Sequence, residues 1–365
     1  MQAPTENRGF DLEERRKAIA ALHRAVPLTR MRDYGMSSTD AAALGVLSGD
    51  HLGWDETAAE LAERRLKSAD KLLALSQACR AAQEIEWAAA ALMVGQLAFN
   101  RDCSRKVELF TRSQALYARA AEISHATHRR IVLHGDDERK LYGWTFPQES
   151  SPGTVIIIGG LSGWGSAYFG MARAFNRRGL SVMICDLPGQ GETRMSSKLF
   201  LSRDTLSAVN AFIAEALVYA PSVGVMGNSF GGVIAAHVAA SDSRISACCI
   251  NGAAPTQSVP EFRTVSEQME AAFGVKDAQL QAKVEEFSFN PAKTPIKAPL
   301  LIIEGGADPL VPLGAQAGYL ADDYRDSATV MTWPDGEHTI YNHATDRDAL
   351  VSAWFLDQLN RSCTR

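Results

Sequence analysis

Three residues, Ser229, Asp308 and His338, have the types and the chain order that nucleophilic attack by a serine needs. Ser229 stands in Gly-Asn-Ser-Phe-Gly at positions 227–231, which matches the G-x-S-x-G pattern of a sharp strand-to-helix turn. A serine hydroxyl needs a base that accepts its proton, and the base needs an acid that orients it. With this pattern, the order along the chain is Ser, then Asp or Glu, then His. We therefore predict Ser229 as the nucleophile, His338 as the base and Asp308 as the acid.

The sequence leaves other interpretations of these and nearby residues open. Ser229 could form only a structural corner, and Asp308 could only cap its own turn, because Asp before Pro favours turns. Asp335 is the rival acid, and His343 is the rival base. His237 lies within the helix predicted after the turn, so we interpret it as a packed or surface histidine.

A nucleophilic serine also needs donors for the negative oxygen of a tetrahedral intermediate. One donor is predicted to be the backbone N–H of Phe230, directly after the nucleophile. The second is predicted to be the N–H of Leu161 in the Gly-Gly-Leu turn at positions 159–161. The alternative is that this stretch is a plain glycine turn.

Short apolar runs separated by helical segments predict the sheet that must position these residues. They cover residues 155–158, 182–185, 223–226, 245–250, 300–303 and 328–333, preceded by a hairpin over 129–146. Runs of this kind are typical of buried parallel strands in an α/β fold with right-handed crossovers. The apolar face of 347–360 predicts a final helix packed on the sheet.

The N-terminal third of the chain has a different, helical composition. Residues 10–123 are rich in Ala, Leu, Glu, Lys and Arg, and the longest segment, 56–100, has no proline and Asp55 as a plausible N-cap. We therefore predict a helical cap domain over 1–126 and a catalytic α/β domain over 127–365. A helical excursion is expected at about 257–293, over the sheet edge where ligands of α/β proteins bind.

Composition limits the classes of partner. Among 365 residues, 46% are hydrophobic and the net charge is −5, so neither nucleic acid nor membrane is predicted as a partner. The polar N-terminus lacks the apolar core of a secretory signal, and no window has the roughly 18 apolar residues of a spanning helix. The 6 cysteines form no C-x-x-C pair, so we predict buried free thiols and a cytoplasmic location.

The set of motifs resembles the α/β-hydrolase fold. The motifs are "IIIGGL", "CDLPGQGET", "GNSFGG", "GGADPLVP" and "GEH", after a helical domain that contains "RMRDYGMSSTD". Nearly the whole chain resembles the branch that includes 2,6-dihydroxypseudooxynicotine hydrolase and the fungal hydrolases that shorten polyketide naphthopyrones. The resemblance implies the same triad, a helical cap over the site, homodimers in some members, and hydrolysis of a carbon–carbon bond in a ketone or diketone. It also implies that the loop 186–192 supports the site.

The chain departs from this branch at Ser162, where an acidic residue follows Gly-Gly-Leu in its members. An acid there could protonate a carbon leaving group, so Ser162 favours an ester, thioester or lactone of a small organic molecule. No metal or organic cofactor is predicted, since His338 and His343 have no third ligand at a metal-site spacing.

Five residues are candidates for contact with the substrate, and three other functions remain open. The candidate contacts are Arg30, Tyr34 and Trp54 in the helical domain, and Ser162 and Trp164 beside the predicted oxyanion turn. The rival enzymes are a carbon–carbon bond hydrolase of a 1,3-diketone and a biosynthetic cyclase or acyltransferase. A hydrolase-like protein that binds its ligand without catalysis is the rival outside the enzymes.

Overall fold

The computed structural model describes residues 12–49, 53–135, 138–321, 323 and 328–363. Its strands are β1 (Arg129–His134), β2 (Lys140–Phe146), β3 (Thr154–Ile158), β4 (Ser181–Asp186), β5 (Val223–Asn228), β6 (Ile245–Asn251), β7 (Leu300–Gly305) and β8 (Ala328–Trp333). They form one 8-stranded sheet in the order β1-β2-β4-β3-β5-β6-β7-β8. The pairs β1–β2 and β2–β4 are antiparallel, and the others are parallel. The predicted α/β sheet is confirmed, including the hairpin at its start.

Helices precede the sheet and then alternate with its strands. Before the sheet lie α1 (Leu12–Ala25), α2 (Leu28–Asp33), α3 (Ser38–Leu47), α4 (Trp54–Ala74), α5 (Ala78–Gly95) and α6 (Ser104–Ile123). Later come α7 (Phe169–Arg177), α8 (Gly191–Ser197), α9 (Thr205–Tyr219), α10 (Phe230–Ser241), α11 (Arg263–Phe273), α12 (Asp277–Glu285) and α13 (Ala344–Cys363). The described helices include none that is both long and apolar enough to cross a membrane.

The sheet separates two hydrophobic cores because successive side chains of a strand point to opposite faces. Ile157 of β3 packs in one core with α7, α13 and the N-terminal helices. Its neighbour Ile156 packs in the other core with α9, α10, α11 and α12. Both faces are therefore covered, which explains why the strands read as continuous apolar runs.

The N-terminal helices differ in two details from the sequence prediction. The predicted long helix over 56–100 is two helices, because the chain turns between α4 and α5, where Ser76 has a φ of 57°. Asp55 as N-cap is wrong: Gly53 is the N-cap, and Asp55 lies in the first turn and accepts a hydrogen bond from Arg105 at 3.0 Å. Phe10 and most of the polar N-terminal stretch lie outside the described residues.

The cysteine prediction is correct only in part. Cys185, Cys248 and Cys249 are buried free thiols in the strands, whereas the free thiols of Cys79 and Cys103 are exposed. Cys103 precedes α6, and its sulfur accepts the backbone N–H of Lys106 at 3.5 Å. Polar helix ends, unlike apolar strands, do not bury a thiol.

The carboxyl ends of β3, β5, β7 and β8 meet at one edge of the sheet because these strands are parallel. The loops that carry the candidate chemistry leave the sheet at this edge. The stretch between β6 and β7 passes over the same edge and contains α11 and α12, as expected for the excursion at 257–293.

Candidate active site

Ser229 lies at the turn from β5 into α10. Its φ of 53° is in the left-handed region, which residues with side chains rarely adopt. A Cβ atom at Gly227 would lie 2.1 Å from the carbonyl oxygen of Gly231, and one at Gly231 would lie 2.3 Å from that of Gly159. The turn is therefore possible only with glycine on both sides, and it holds the serine in a strained position at the sheet edge.

His338 lies between Ser229 and Asp308. Its Nε2 atom is 2.9 Å from the Oγ of Ser229, and its Nδ1 atom is 2.8 Å from the Oδ2 of Asp308. The other carboxylate oxygen of Asp308 accepts the backbone N–H groups of Leu310 and Val311 at 2.8 and 3.1 Å. These bonds fix the carboxylate, which in turn can orient the imidazole toward the hydroxyl.

The rival residues lie apart from this chain of hydrogen bonds. The Nε2 atom of His343 is 2.9 Å from the Oδ1 of Asp335, so the rival base and the rival acid pair with each other. His237 lies on α10 with its Nε2 atom 2.9 Å from the carbonyl oxygen of Phe287. The described residues contain no group of three or more His, Cys, Asp or Glu side chains that could hold a metal ion.

The turn after β3 approaches Ser229 closely. A Cβ atom at Gly160 would lie 2.9 Å from the Cβ of Ser229. Leu161 and Phe230 line the same cavity of about 200 Å³ as Ser229 and His338. Neither backbone N–H, of Leu161 or of Phe230, has an acceptor among the described residues. Both are thus free to donate to a ligand in this cavity.

Gln190, which the sequence placed only within a supporting loop, contacts the turn directly. Its side-chain nitrogen donates to the carbonyl oxygens of Gly159 and Gly160 at 2.5 and 3.1 Å. Asp186, at the start of the same loop, accepts the backbone N–H of Glu192 at 2.8 Å, and burial raises the pKa of this carboxyl to about 7. The loop after β4 therefore holds the turn after β3 from behind.

Trp164 and Trp54 have structural contacts and do not line the cavity beside Ser229. The indole N–H of Trp164 donates to the carbonyl oxygen of Leu161 at 3.1 Å, and the Arg194 guanidinium lies 4.6 Å from the ring centroid. Trp54 is 2% exposed within the helical region, where its N–H donates to Val94 at 3.1 Å. Trp164 therefore fixes the turn after β3, whereas Trp54 packs the helices.

Arg30 and Tyr34 of the helical region reach the turn through Ser162. The Nη2 atom of Arg30 donates to the Oγ of Ser162 at 2.9 Å and to the hydroxyl of Tyr34 at 2.9 Å. The structure therefore brings these three candidate contacts together at the residue that follows Leu161. They lie on the side of the turn that faces the helices.

Comparison with known proteins agrees with this architecture. Residues 153–293 match a family described as alpha/beta hydrolase fold. The chain has the α/β-hydrolase fold. Its structure is similar to that of 2,6-dihydroxy-pseudo-oxynicotine hydrolase, with a TM-score of 0.78 at 22% identity over 92% of this chain and 96% of that one. It is also similar to AbyA5, with a TM-score of 0.72 at 16% identity over 94% and 99% of the chains.

The α/β-hydrolase likeness extends to one curated sequence. Phospholipase YtpA of Bacillus subtilis (strain 168) is 29% identical over 93 residues, which are 25% of this chain and 36% of that protein. The match thus covers about a third of that relative. The two similar structures cover the helical region as well as the sheet, so the predicted resemblance to their branch is confirmed for the fold.

Proposed function

We propose that this α/β-hydrolase is a serine hydrolase that forms an acyl-enzyme on Ser229. The observation that carries the proposal is the chain of hydrogen bonds from Ser229 through His338 to Asp308, at 2.9 and 2.8 Å. It lies beside backbone N–H groups that have no acceptor among the described residues. A nucleophile, a base, an orienting acid and free donors are the parts that acyl transfer needs.

In the proposed mechanism, the Ser229 hydroxyl attacks a substrate carbonyl while His338 takes its proton. The developing oxyanion accepts hydrogen bonds from the N–H groups of Leu161 and Phe230. His338 then protonates the leaving alkoxide or thiolate, and the C–O or C–S bond breaks. A water molecule loses a proton to His338 and attacks the acyl carbon. The bond from this carbon to the Oγ of Ser229 then breaks, and His338 returns the proton to Oγ as the acid leaves. Asp308 stabilises the imidazolium throughout.

The preferred substrates are esters, thioesters or lactones of small organic molecules. Their leaving groups need one proton, which His338 supplies without a second acid. Ser162 stands where the branch has an acid, and its hydroxyl is held by Arg30 at 2.9 Å. The homodimer, the cytoplasmic location and the division into domains over 1–126 and 127–365 stay predictions.

Hydrolysis of a carbon–carbon bond in a 1,3-diketone is the second candidate. It is supported by the likeness to 2,6-dihydroxy-pseudo-oxynicotine hydrolase, which extends over 92% of this chain and includes the helical region. An aryl ester and a 1,3-diketone assayed side by side decide between the candidates. Rapid cleavage of the diketone with negligible esterase activity would favour the second.

Replacement of the nucleophile tests the proposal. We expect Ser229→Ala to lower kcat for an aryl ester by on the order of 10⁴-fold or more, because the base alone does not replace an attacking hydroxyl. Ser258, an exposed serine that lines the same cavity, gives the matched control Ser258→Ala, which should retain activity. Mass spectrometry should locate a fluorophosphonate label on Ser229. A label on another residue, or full turnover by Ser229→Ala, would contradict the proposal.

A further inference from the structure

Arg30 differs in its partners from Arg65, Arg194 and Arg347, three other arginines of the described residues that are partly or fully buried. Arg65, Arg194 and Arg347 each form an ion pair with a carboxylate, at 2.8, 3.0 and 2.8 Å. Arg30 is partly buried, yet within the described part of the chain no carboxylate lies at ion-pair distance from it. A charge removed from water without a counter-ion is costly, so a site of this kind favours an anion.

Hydrogen bonding around Arg30 leaves an excess of donors. Its Nε and Nη2 atoms donate to the hydroxyl of Tyr34 at 3.2 and 2.9 Å, and Nη2 also donates to Ser162. Its Nη1 atom uses one hydrogen on the carbonyl oxygen of Ala25 at 2.8 Å. Among the described residues, no acceptor takes the second Nη1 hydrogen or the hydroxyl hydrogens of Tyr34 and Ser162. Tyr34 is only 7% exposed, so its unused donor is costly.

These donors lie next to the reacting centre. Ser162 follows Leu161, the predicted oxyanion donor, and the preceding Gly160 touches Ser229. Tyr341 follows His338 closely along the chain. Burial raises the pKa of the Tyr341 hydroxyl, and the carboxylate of Glu337, which hydrogen-bonds this hydroxyl, raises it further, whereas the charge of Arg30 lowers it. None of Arg30, Tyr34 and Ser162 lines the cavity beside Ser229, so a substrate that contacts both must extend past the turn after β3.

The cavity on the other side of the turn has the opposite chemistry. Apart from His338, no ionisable side chain lines it, and its wall includes Val265 and Met269 of α11 together with Phe262 and Val311. Phe262 is 59% exposed at the edge of this wall. An uncharged, apolar group therefore fits this side of Ser229.

We propose that Arg30, Tyr34 and Ser162 form a subsite for a carboxylate group of the substrate. This inference rests on the proposed function, because the subsite acts on the carbonyl compound that Ser229 attacks. The guanidinium and the hydroxyls donate to the carboxylate, while the apolar end of the same molecule lies against α11. The substrate class is thus a carbonyl compound with a carboxylate on one side of the scissile bond and an uncharged apolar group on the other.

Matched ester pairs test the subsite. One pair is a mono-aryl ester of glutaric acid and its methyl diester, and the other is the acetyl ester of 4-hydroxybenzoate and that of methyl 4-hydroxybenzoate. We expect the protein to prefer the carboxylate member of at least one pair by about 10- to 100-fold in kcat/KM. Arg30→Met should reduce this preference at least about tenfold, and Arg30→Lys should reduce it less. Arg32→Met, at an exposed position of α2, is the control that keeps it.

Two further measurements separate recognition of the carboxylate from support of the turn. If Arg30 only positions Ser162, Arg30→Met lowers kcat/KM equally for both members of a pair, and the inference is overturned. Should Arg30→Met not fold, Tyr34→Phe, which removes one donor, should still reduce the preference several-fold.

Binding without turnover distinguishes this inference from the proposed function. Glutarate should bind Ser229→Ala in a calorimeter at least about tenfold more tightly than it binds the Ser229→Ala, Arg30→Met double variant. Equal binding overturns the subsite. If glutarate binding depends on Arg30 but no fluorophosphonate labels Ser229, the proposed hydrolase fails while the subsite stands.

Discussion

At the scale of single residues, Gln190 connects the loop after β4 to the turn after β3, the proposed oxyanion turn. Its amide holds the carbonyl oxygens of Gly159 and Gly160, so it directs the following N–H of Leu161 toward Ser229. We expect Gln190→Met to lower kcat by roughly 10- to 100-fold, less than the roughly 10²- to 10³-fold typical of losing the donor itself. KM should change little, because the turn acts on the developing oxyanion. Steady-state kinetics with an aryl ester measures both.

Inhibitor binding separates this positioning role of Gln190 from a loss of stability. A boronic acid forms a tetrahedral adduct on Ser229, so its affinity should fall by the same factor as kcat. Gln190→Glu retains the acceptor for Leu187 but loses both donors, and it should behave like Gln190→Met. An unchanged boronic acid affinity in a variant with reduced kcat would contradict the role.

The sequence predicted the candidate triad better than the contacts around it. Ser229, Asp308 and His338 follow from residue type, chain order and strand ends, all of which are local. The contacts of Gln190 and Arg30 depend on how distant loops meet. No local pattern specifies that their amide and guanidinium groups point at the turn after β3. The motif at 186–192 indicated a supporting loop but not which side chain in it makes the contact.

At the scale of elements, α6 has a buried lysine in its first turn. Lys106 is 2% exposed, its Nζ atom donates to the carbonyl oxygen of Phe99 at 2.7 Å, and burial lowers its pKa to about 7. In the unfolded chain the lysine binds its proton up to about pH 10.4. Between these values the unfolded state binds more protons, so Lys106 makes the free energy of unfolding rise with pH.

Lys106→Met should remove the rise of the free energy of unfolding with pH that is due to this lysine. We expect the variant to be more stable than the parent by a few kcal/mol below about pH 7, with the difference shrinking toward pH 10. Urea unfolding at pH 6.5 and pH 9.5 measures both free energies. Lys71→Met, at an exposed position of α4, is the control and should leave the pH dependence unchanged. If the free energy of unfolding changed equally with pH in the parent and in Lys106→Met, the prediction that the buried amine of Lys106 has a lowered pKa would be wrong.

Elements differ in how well the sequence predicts them. The central strands β3, β4, β5 and β7 were predicted because each is an apolar run that is buried on both faces. The turn between α4 and α5 was missed because Leu-Ser-Gln, at 75–77, contains neither Gly nor Pro. It forms because α4 and α5 pack against each other, and this tertiary contact outweighs helix propensity.

At the scale of the whole molecule, polar contacts join the helical region to the sheet on several sides of the site. Arg30 of α2 donates to Ser162 in the loop after β3, and Arg173 of α7 pairs with Glu86 of α5. Arg101, before α6, pairs with Glu267 of α11 at 2.9 Å, so the helical region also touches the wall of the cavity. The helical region therefore contacts elements that position the candidate active site.

The most deeply buried of these contacts is the ion pair of Arg347. The side chain of this residue in α13 is 1% exposed, and it donates to both carboxylate oxygens of Asp33 in α2 at 3.0 and 2.8 Å. It also donates at 3.0 Å to the carbonyl oxygen of Thr339, the residue after the proposed base His338. Its Nε atom also donates to Asp348 at 2.9 Å, so removal of the guanidinium would leave two buried carboxylates, those of Asp33 and Asp348, without their partner.

We expect Arg347→Met to lower the free energy of unfolding by about 3–5 kcal/mol, the usual cost of breaking a buried pair from one side. Arg361→Met, which disrupts an exposed pair with Asp357 on the same helix, should cost less than about 1 kcal/mol. The double variant Asp33→Asn, Arg347→Met should regain part of the loss, because the amide needs no counter-ion. Urea unfolding followed by both circular dichroism and tryptophan fluorescence measures these values. If the two unfolding transitions occur at different urea concentrations in Arg347→Met, the buried pair couples the helical region to the sheet. If instead the free energy of unfolding falls by less than about 1 kcal/mol and the two transitions coincide, apolar packing alone joins the two regions.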